Sequence, residues 1–494
     1  MTADDEVVTI CRDLIRIDTS NPGDHSGPGE RKAAEHVAAL LSEAGLEPQI
    51  LESHPGRASV VARIAGEDPS RPALLIHGHL DVVPANPADW RHDPFSGEIA
   101  DGCVWGRGAV DMKDMDAMIL AVIRDRMREG RRPPRDVLLV FTTLVVACIG
   151  VVMVYSATRS KLVHAGLSSH YYLDRQAAYV VVGVAAMLVL TALDYRWLEH
   201  ASVILYVGLV LALLAMFTPI GSHQLGATRW LQLGPVQIQP SAFGTLVMIV
   251  IVATFCARRP EGLDLQDLLK VLGLVALPIL LVVRQPDLGS GIVMSVVLLV
   301  MLVVAGIPNR YLLLLVLLSV LGAVAILHFG LLKPYQEQRL IGFLHQSKNL
   351  SGTGYNLNES VAAIGAGGPF GKGLFHGPQT NLSYVPSQPT DFIFSAVGEQ
   401  LGFAGAATVL LLVGMVCWRT LHAAQVARDP FGRLLAAGAF TLIAFSAFEN
   451  AGMSMGIMPI AGIPFPFLSY GGSATIAFFG GVGIALSVHL RRAR

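Results

Sequence analysis

Apolar residues are spread unevenly along this chain, and the change falls near residue 135. Beyond it the sequence divides into ten mostly apolar stretches of about 20 residues, the length that crosses a bilayer core as a helix. They lie at 137–157, 175–193, 200–218, 240–257, 266–283, 288–306, 310–330, 391–417, 433–455 and 469–490. Gly, Ser and Thr interrupt the last three, which is tolerated where helices pack closely. Before residue 135 the pattern differs. Segments 7–17 and 29–44 repeat apolar positions at helical spacing, and ALLIHGHLDVVP (73–84) reads as a buried strand ending in a polar turn. The expectation is an all-α polytopic membrane protein of ten transmembrane helices over 136–494, preceded by a truncated α/β fragment over 1–135.

Charge follows the same division. Residues 1–135 carry a net charge of -7, and the remainder carries +6. The start of the chain lacks a basic region followed by an apolar one, so the fragment is expected to stay cytoplasmic. Arg124, Arg126, Arg128, Arg131, Arg132 and Arg135 precede the first span. Basic residues favour the inner side, and ten spans then return the C-terminus to the cytoplasm. The expected location is the bacterial cytoplasmic membrane, with both termini inside. The five cysteines are scattered and form no CxxC pair, which argues against a disulfide framework or a thiolate metal site. No nucleic-acid partner is expected.

One loop breaks the charge rule. Residues 331–390, between the seventh and eighth spans, fall outside yet contain Lys333, Arg339, Lys348 and Lys372. A loop of this length is uncommon unless it is functional or disordered. A short helix is expected over 359–365. The glycines 365, 367, 368, 371 and 373 allow backbone to approach a ligand closely. Asp391 stands where the loop enters the eighth span. A carboxylate there either accepts a proton in catalysis or caps the helix. Asp287 either caps the sixth span or pairs with Arg284. The stretch ATRWLQLGPVQIQPS (227–241) reads as lying on the membrane surface, with Trp230 as an interfacial anchor and Arg229 placed to meet a phosphate. Glu399 and Glu449 are intramembrane acids that need partners.

In order along the chain come VMVYSAT, ATRWLQLGPVQIQPS, RQPDLGSG, YQEQRLIGFL, GTGYNLNESVAAIGAGGPFGKGL, PTDFIF, GEQLGF and GIPFPFLSYGGSA. This series resembles the SEDS family (shape, elongation, division and sporulation), covers about 136–494, and is closest to the RodA branch rather than FtsW. The chain departs from the family pattern at Ser387, Pro389, Glu359 and Ala242. The resemblance implies peptidoglycan glycosyl transfer from lipid II, with Asp391 as the essential residue. It implies that Asp391 takes the proton of the acceptor 4-hydroxyl, which attacks the donor anomeric carbon with inversion as undecaprenyl pyrophosphate leaves. Arg339, Lys372 and Arg229 are then candidates to hold the pyrophosphate, with Trp230, Gln285 and Asp287 lining the substrate. No dedicated metal cage is expected, although a divalent cation could assist the leaving group. The implied partners are a class B penicillin-binding protein, other membrane proteins of the elongation machinery and membrane lipid. A lipid-precursor flippase, or a noncatalytic scaffold of the cell-wall machinery, is the alternative.

The first part resembles a different family, the zinc-dependent hydrolases of the ArgE and DapE type. His79 and Asp81 match its HxD motif, and Asp111 in GRGAVDMK matches its metal-bridging aspartate. The Glu-Glu pair that should follow RDVLLVFT is missing, as are the later ligands. The fragment is therefore expected to have no peptidase activity. RDVLLVF suits either family, which puts the junction within about 135–143.

Overall fold

The computed structural model describes residues 3–24, 26–64, 74–129, 136–219, 221–224, 227–233, 236–259, 262–328 and 353–492. They form two compact units, 1–133 and 134–492.

In the first unit, α1 (Ala3–Arg16), α2 (Arg31–Glu43) and α3 (Lys113–Glu129) bury Ile10, Leu14, Ile15, Val37, Leu41, Ala117 and Leu120. Lys113 is fully buried. Its ammonium group donates to the Leu14 and Ile17 carbonyls at 2.9 and 2.8 Å, which closes the C-terminal end of α1. Burial pushes the Lys113 ammonium down to about 8. Two antiparallel hairpins complete the unit, β1 (Gln49–His54) with β2 (Arg57–Val61) and β3 (Glu98–Ala100) with β4 (Cys103–Trp105). The expected strand at 73–84 does not form. Its described residues make one isolated bridge, Val82 to Ser20, and Leu74 and Leu75 are 85% and 82% exposed. A strand is buried only when neighbouring strands and helices cover both faces. The later apolar segment RDVLLVF is helical from Val137 onward, in the second unit.

The second unit is a helical bundle. Its helices are α4 (Val137–His164), α5 (Tyr171–Ala192), α6 (Arg196–Ala215), α7 (Pro240–Ala257), α8 (Leu265–Arg284), α9 (Leu288–Val304), α10 (Asn309–His328), α11 (Thr353–Gly367), α12 (Ile393–Gln425), α13 (Pro430–Ser454) and α14 (Gly472–Leu490). Eight of these are long and apolar enough to cross a membrane. The sixth and seventh expected spans correspond to α9 and α10, whose described apolar portions are shorter. Helices α13 and α14 are mostly enclosed by the others. Small residues permit that packing: Gly183 lies against Phe479, and Gly438 against Ile249. The stretch expected on the membrane surface is an antiparallel sheet of β5 (Gly221–Gln224), β6 (Ala227–Leu233) and β7 (Val236–Ile238), the one β element among the described residues of this unit.

Asp136 fastens the start of the bundle. Its carboxylate caps α4 through the Leu139 N–H at 3.1 Å and pairs with Arg419 of α12, with Nε and Nη2 both at 2.8 Å. The Asp136 side chain is 2% exposed. Removing one partner of a buried pair strands the other charge, so Arg419→Ala should destabilise the unit by about 3–5 kcal/mol. Thermal unfolding of the purified protein in detergent reads this directly, and an unchanged midpoint would contradict it.

Candidate functional site

The site is built at the end of the bundle opposite Asp136, where α12 is broken. Gly402 has φ +66°, outside the helical range. The break frees backbone groups of residues 399–404, and the glycine-rich loop takes them up. Lys372 and Gly373 donate to the Glu399 and Gln400 carbonyls at 3.0 Å each, while Phe403 and Ala404 donate back to Gly368 and Pro369 at 2.9 and 3.0 Å. A Cβ at Gly371 would sit 2.1 Å from the Gln400 oxygen, and one at Gly367 would sit 1.9 Å from the Gly398 oxygen. The close approach expected of these glycines is therefore made to the broken helix.

Side chains lock this contact. Glu399 is fully buried and caps the single helical turn Pro378–Asn381. It accepts from the Gln379 N–H at 2.7 Å, the Thr380 N–H at 2.9 Å and the Thr380 hydroxyl at 2.6 Å. The Gln400 Oε1 accepts from Ser156 of α4 at 2.7 Å and from the Phe375 N–H at 3.0 Å. The expected short helix over 359–365 is the middle of α11, which the Ser360 hydroxyl ties to the Ser454 carbonyl at 2.8 Å.

Asp391 lies just before α12 and is partly exposed. Its N–H donates to the Ser387 carbonyl at 2.9 Å, and its carbonyl accepts from the Asn450 side chain of α13 at 2.7 Å. The same Asn450 amide reaches the Ile463 carbonyl at 2.7 Å. Two residues before Asp391, the Pro389 carbonyl accepts from the Tyr470 N–H at 2.8 Å. Phe392 and Phe394 are buried, and Phe394 stacks on Phe465 at 5.8 Å. Helix α12 starts with Phe392 at the cap position, directly after Asp391. Glu449, one residue before Asn450, is 3% exposed. The Ala461 N–H faces it without meeting hydrogen-bond geometry, and neither carboxylate oxygen has a partner.

The other sequence candidates separate into two groups. Gln285 is buried, and its amide donates to the Leu213 carbonyl at 2.9 Å. Asp287 caps α9 through Ser290 and also accepts from Ser241 at 2.8 Å and Gln239 at 3.2 Å. The pairing with Arg284 is not seen among the described residues; the cap reading is. Both side chains are thus engaged in holding helix ends. Arg229 donates to the Pro286 carbonyl, which joins the small sheet to the start of α9. Trp230 is partly exposed on β6, and Lys372 is exposed in the loop. Arg339, Lys333 and Lys348 lie outside the described residues.

Sequence reasoning missed the α5 contribution. Arg175 faces the Tyr470 hydroxyl and lies 4.4 Å over the Tyr171 ring, while Gln176 donates to the Ser469 carbonyl at 3.2 Å. The available signal was an Arg-Gln pair near the start of an apolar span.

A sequence profile described as cell cycle protein, FtsW/RodA/SpoVE, matches residues 136–494. The chain belongs to the FtsW/RodA/SpoVE family. Among its FtsW/RodA/SpoVE relatives, a probable peptidoglycan glycosyltransferase FtsW of Geobacter metallireducens is 36% identical, over 72% of this chain and 95% of that protein. The stage V sporulation protein E of Bacillus subtilis is 34% identical, over 72% and 96%. The peptidoglycan glycosyltransferase MrdB of Escherichia coli K12 is 36% identical, over 65% and 86%. Equal identity to FtsW and MrdB leaves the branch within the family undivided. Two solved structures share the fold. A chain from a peptidoglycan synthase complex that coordinates polymerisation and crosslinking gives a TM-score of 0.61 at 28% identity, covering 73% of this chain and 98% of that one. The rod shape determining protein RodA of Thermus thermophilus gives 0.55 at 27%, covering 73% and 98%.

A second profile, peptidase family M20/M25/M40, matches residues 75–143 and overlaps the FtsW/RodA/SpoVE match at 136–143. In this region His79 Nε2 lies 3.3 Å from Asp111, and its Nδ1 lies 3.0 Å from the Asp81 carbonyl. Burial lowers the proton affinity of His79, but the Asp81 and Asp111 groups outweigh it and the net shift is upward. Asp81 is also held by the Asn21 amide at 2.8 Å. No group of three or more metal-type side chains is found among the described residues.

Proposed function

We propose that this protein is a peptidoglycan glycosyltransferase that polymerises lipid II, with Asp391 as the general base, working beside a class B penicillin-binding protein. The observation that carries the reading is the setting of Asp391. Contacts to its backbone from the loop and from α13 hold it directly before α12, at the mouth of an apolar helix. The relatives named peptidoglycan glycosyltransferases support the activity. The structural match to a chain of a peptidoglycan synthase complex supports the partner.

In this reading Asp391 accepts the proton of the acceptor 4-hydroxyl. The oxygen forms a bond to the donor anomeric carbon, the bond from that carbon to the pyrophosphate oxygen breaks, and undecaprenyl pyrophosphate leaves with inversion. Negative charge grows on the leaving group, so fixed cations contribute most there. Lys372 lies in the loop and Arg229 on β6 at this end, and Arg339 is assigned the same task by sequence. Trp230 is an anchor beside them. Gln285 and Asp287 act indirectly, by fixing α8 and α9. The charge rule supports an inner-membrane protein with cytoplasmic termini and Asp391 facing outward. Elongation is the process proposed, from the resemblance to the RodA branch.

Residues 1–133 are proposed to be dispensable for this activity. A version that lacks them keeps Asp136 and its pairing with Arg419. Its rate of labelled lipid II polymerisation should stay within about twofold of the full chain, since no catalytic group is lost. A much larger fall would assign the first unit a part in the reaction.

A further inference from the structure

Helix α5 buries three residues, Gln176, Gly183 and Met187, and one of them is polar. A buried side-chain amide is costly unless it is hydrogen-bonded. Both polar atoms of Gln176 bond to the turn that enters α14. Its Nε2 donates to the Ser469 carbonyl at 3.2 Å, and its Oε1 accepts from the Gly471 N–H at 3.4 Å. The residue between those two, Tyr470, donates its N–H to the Pro389 carbonyl at 2.8 Å. The turn is braced further. The Ser469 hydroxyl oxygen accepts from the Phe465 N–H at 2.9 Å, and the Tyr470 ring meets Tyr172 of α5 edge-on at 4.9 Å. Pro389 has no N–H of its own to offer, so its carbonyl is the backbone handle at that residue. It lies two residues before Asp391, whose carbonyl is held from α13 by Asn450 at 2.7 Å. The segment that carries Asp391 is therefore gripped on one side of the carboxylate through α5 and at the carboxylate's own residue from α13.

We propose that Gln176 is a positioning residue for glycosyl transfer: by holding the turn 469–471 from α5, it fixes Pro389 and, through it, the approach of Asp391 to the attacking hydroxyl. The inference rests on Asp391 being the base. A general base works only within hydrogen-bond reach of the proton it takes, about 2.6–3.2 Å. A displacement of about 1 Å, caused by a change far from the chemistry, can lower a rate about 100-fold. Gln176 acts through Tyr470 and Pro389 and needs no contact with the substrate.

The test is a double-mutant cycle on lipid II polymerisation by the full chain with its class B penicillin-binding protein. Wild type, Gln176→Met, Asp391→Asn and the two changes together are compared. Gln176→Leu serves as a second replacement should the first not fold. Methionine keeps the length of the side chain and loses both hydrogen bonds to the turn. Gln176→Met should lower kcat by about 10- to 100-fold, with KM for lipid II unchanged. Added to Asp391→Asn, it should lower the residual rate by less than about twofold, because residues that act as a unit are not additive. A merely structural role predicts the same fold-loss in both backgrounds, and that result would overturn the proposal. So would a wild-type rate in whichever replacement folds, with Asp391→Asn inactive. Activity retained in Asp391→Asn would remove the base assignment and the role of Gln176 with it.

Discussion

Asp391→Asn should lower the rate of lipid II polymerisation by at least about 100-fold, within the range that a positioned general base contributes. The argument is one of separable roles. The structural ties described for this residue run through its backbone, to the Ser387 carbonyl and from the Asn450 amide. Asparagine keeps both and has nearly the same shape. It loses the capacity to take a proton at neutral pH. The variant should therefore purify with the wild-type thermal midpoint and bind its partner, yet make no long glycan. Measuring glycan products with the purified pair decides the matter. A rate within a few-fold of wild type would move the base elsewhere and reopen the flippase and scaffold alternatives.

Glu399→Ala should release the loop at 368–390 from α12. The carboxylate is fully buried and receives three donors, two of them backbone N–H groups of the Pro378–Asn381 turn. Each buried donor left without a partner costs about 1–3 kcal/mol. The sum is several kcal/mol, enough to detach the turn from the helix. Because the same loop leads through Gln388 to Asp391, polymerisation should fall as well. The Gln388 amide meets the Thr380 and Ser395 hydroxyls at 3.2 Å each, so it shares the network. Glu399→Gln keeps one acceptor oxygen and should fall between the two. Limited proteolysis across residues 374–390 reads the detachment. Wild-type resistance in Glu399→Ala would mean that the cap contributes little.

The spans were legible because a bilayer imposes a length and a composition that any window detects. Asp391 stood out as a carboxylate at the mouth of an apolar run, where the sequence left capping and proton transfer both open. The task of Glu399 was not legible, since its partners lie about twenty residues upstream in a turn whose place is set by tertiary packing. The glycine run was seen but assigned to a ligand, because sequence shows the permission to approach and not what approaches. Asp287 had two open readings, and the serines that settle it come from α7 and α9. At ALLIHGHLDVVP local preference pointed to a strand, but a strand needs neighbours, and the described residues there make one isolated bridge. The expectation failed there because the chain supplies a local signal without its context.

Asp136 and Arg419 are 283 residues apart in sequence, yet they share one buried ion pair. At a synthesis rate of about 5–20 residues per second, the ribosome takes roughly 14–57 seconds to pass from one to the other. Through that interval the acid at the start of α4 waits for its cation, so closure of the bundle is a late event, timed by the arrival of α12.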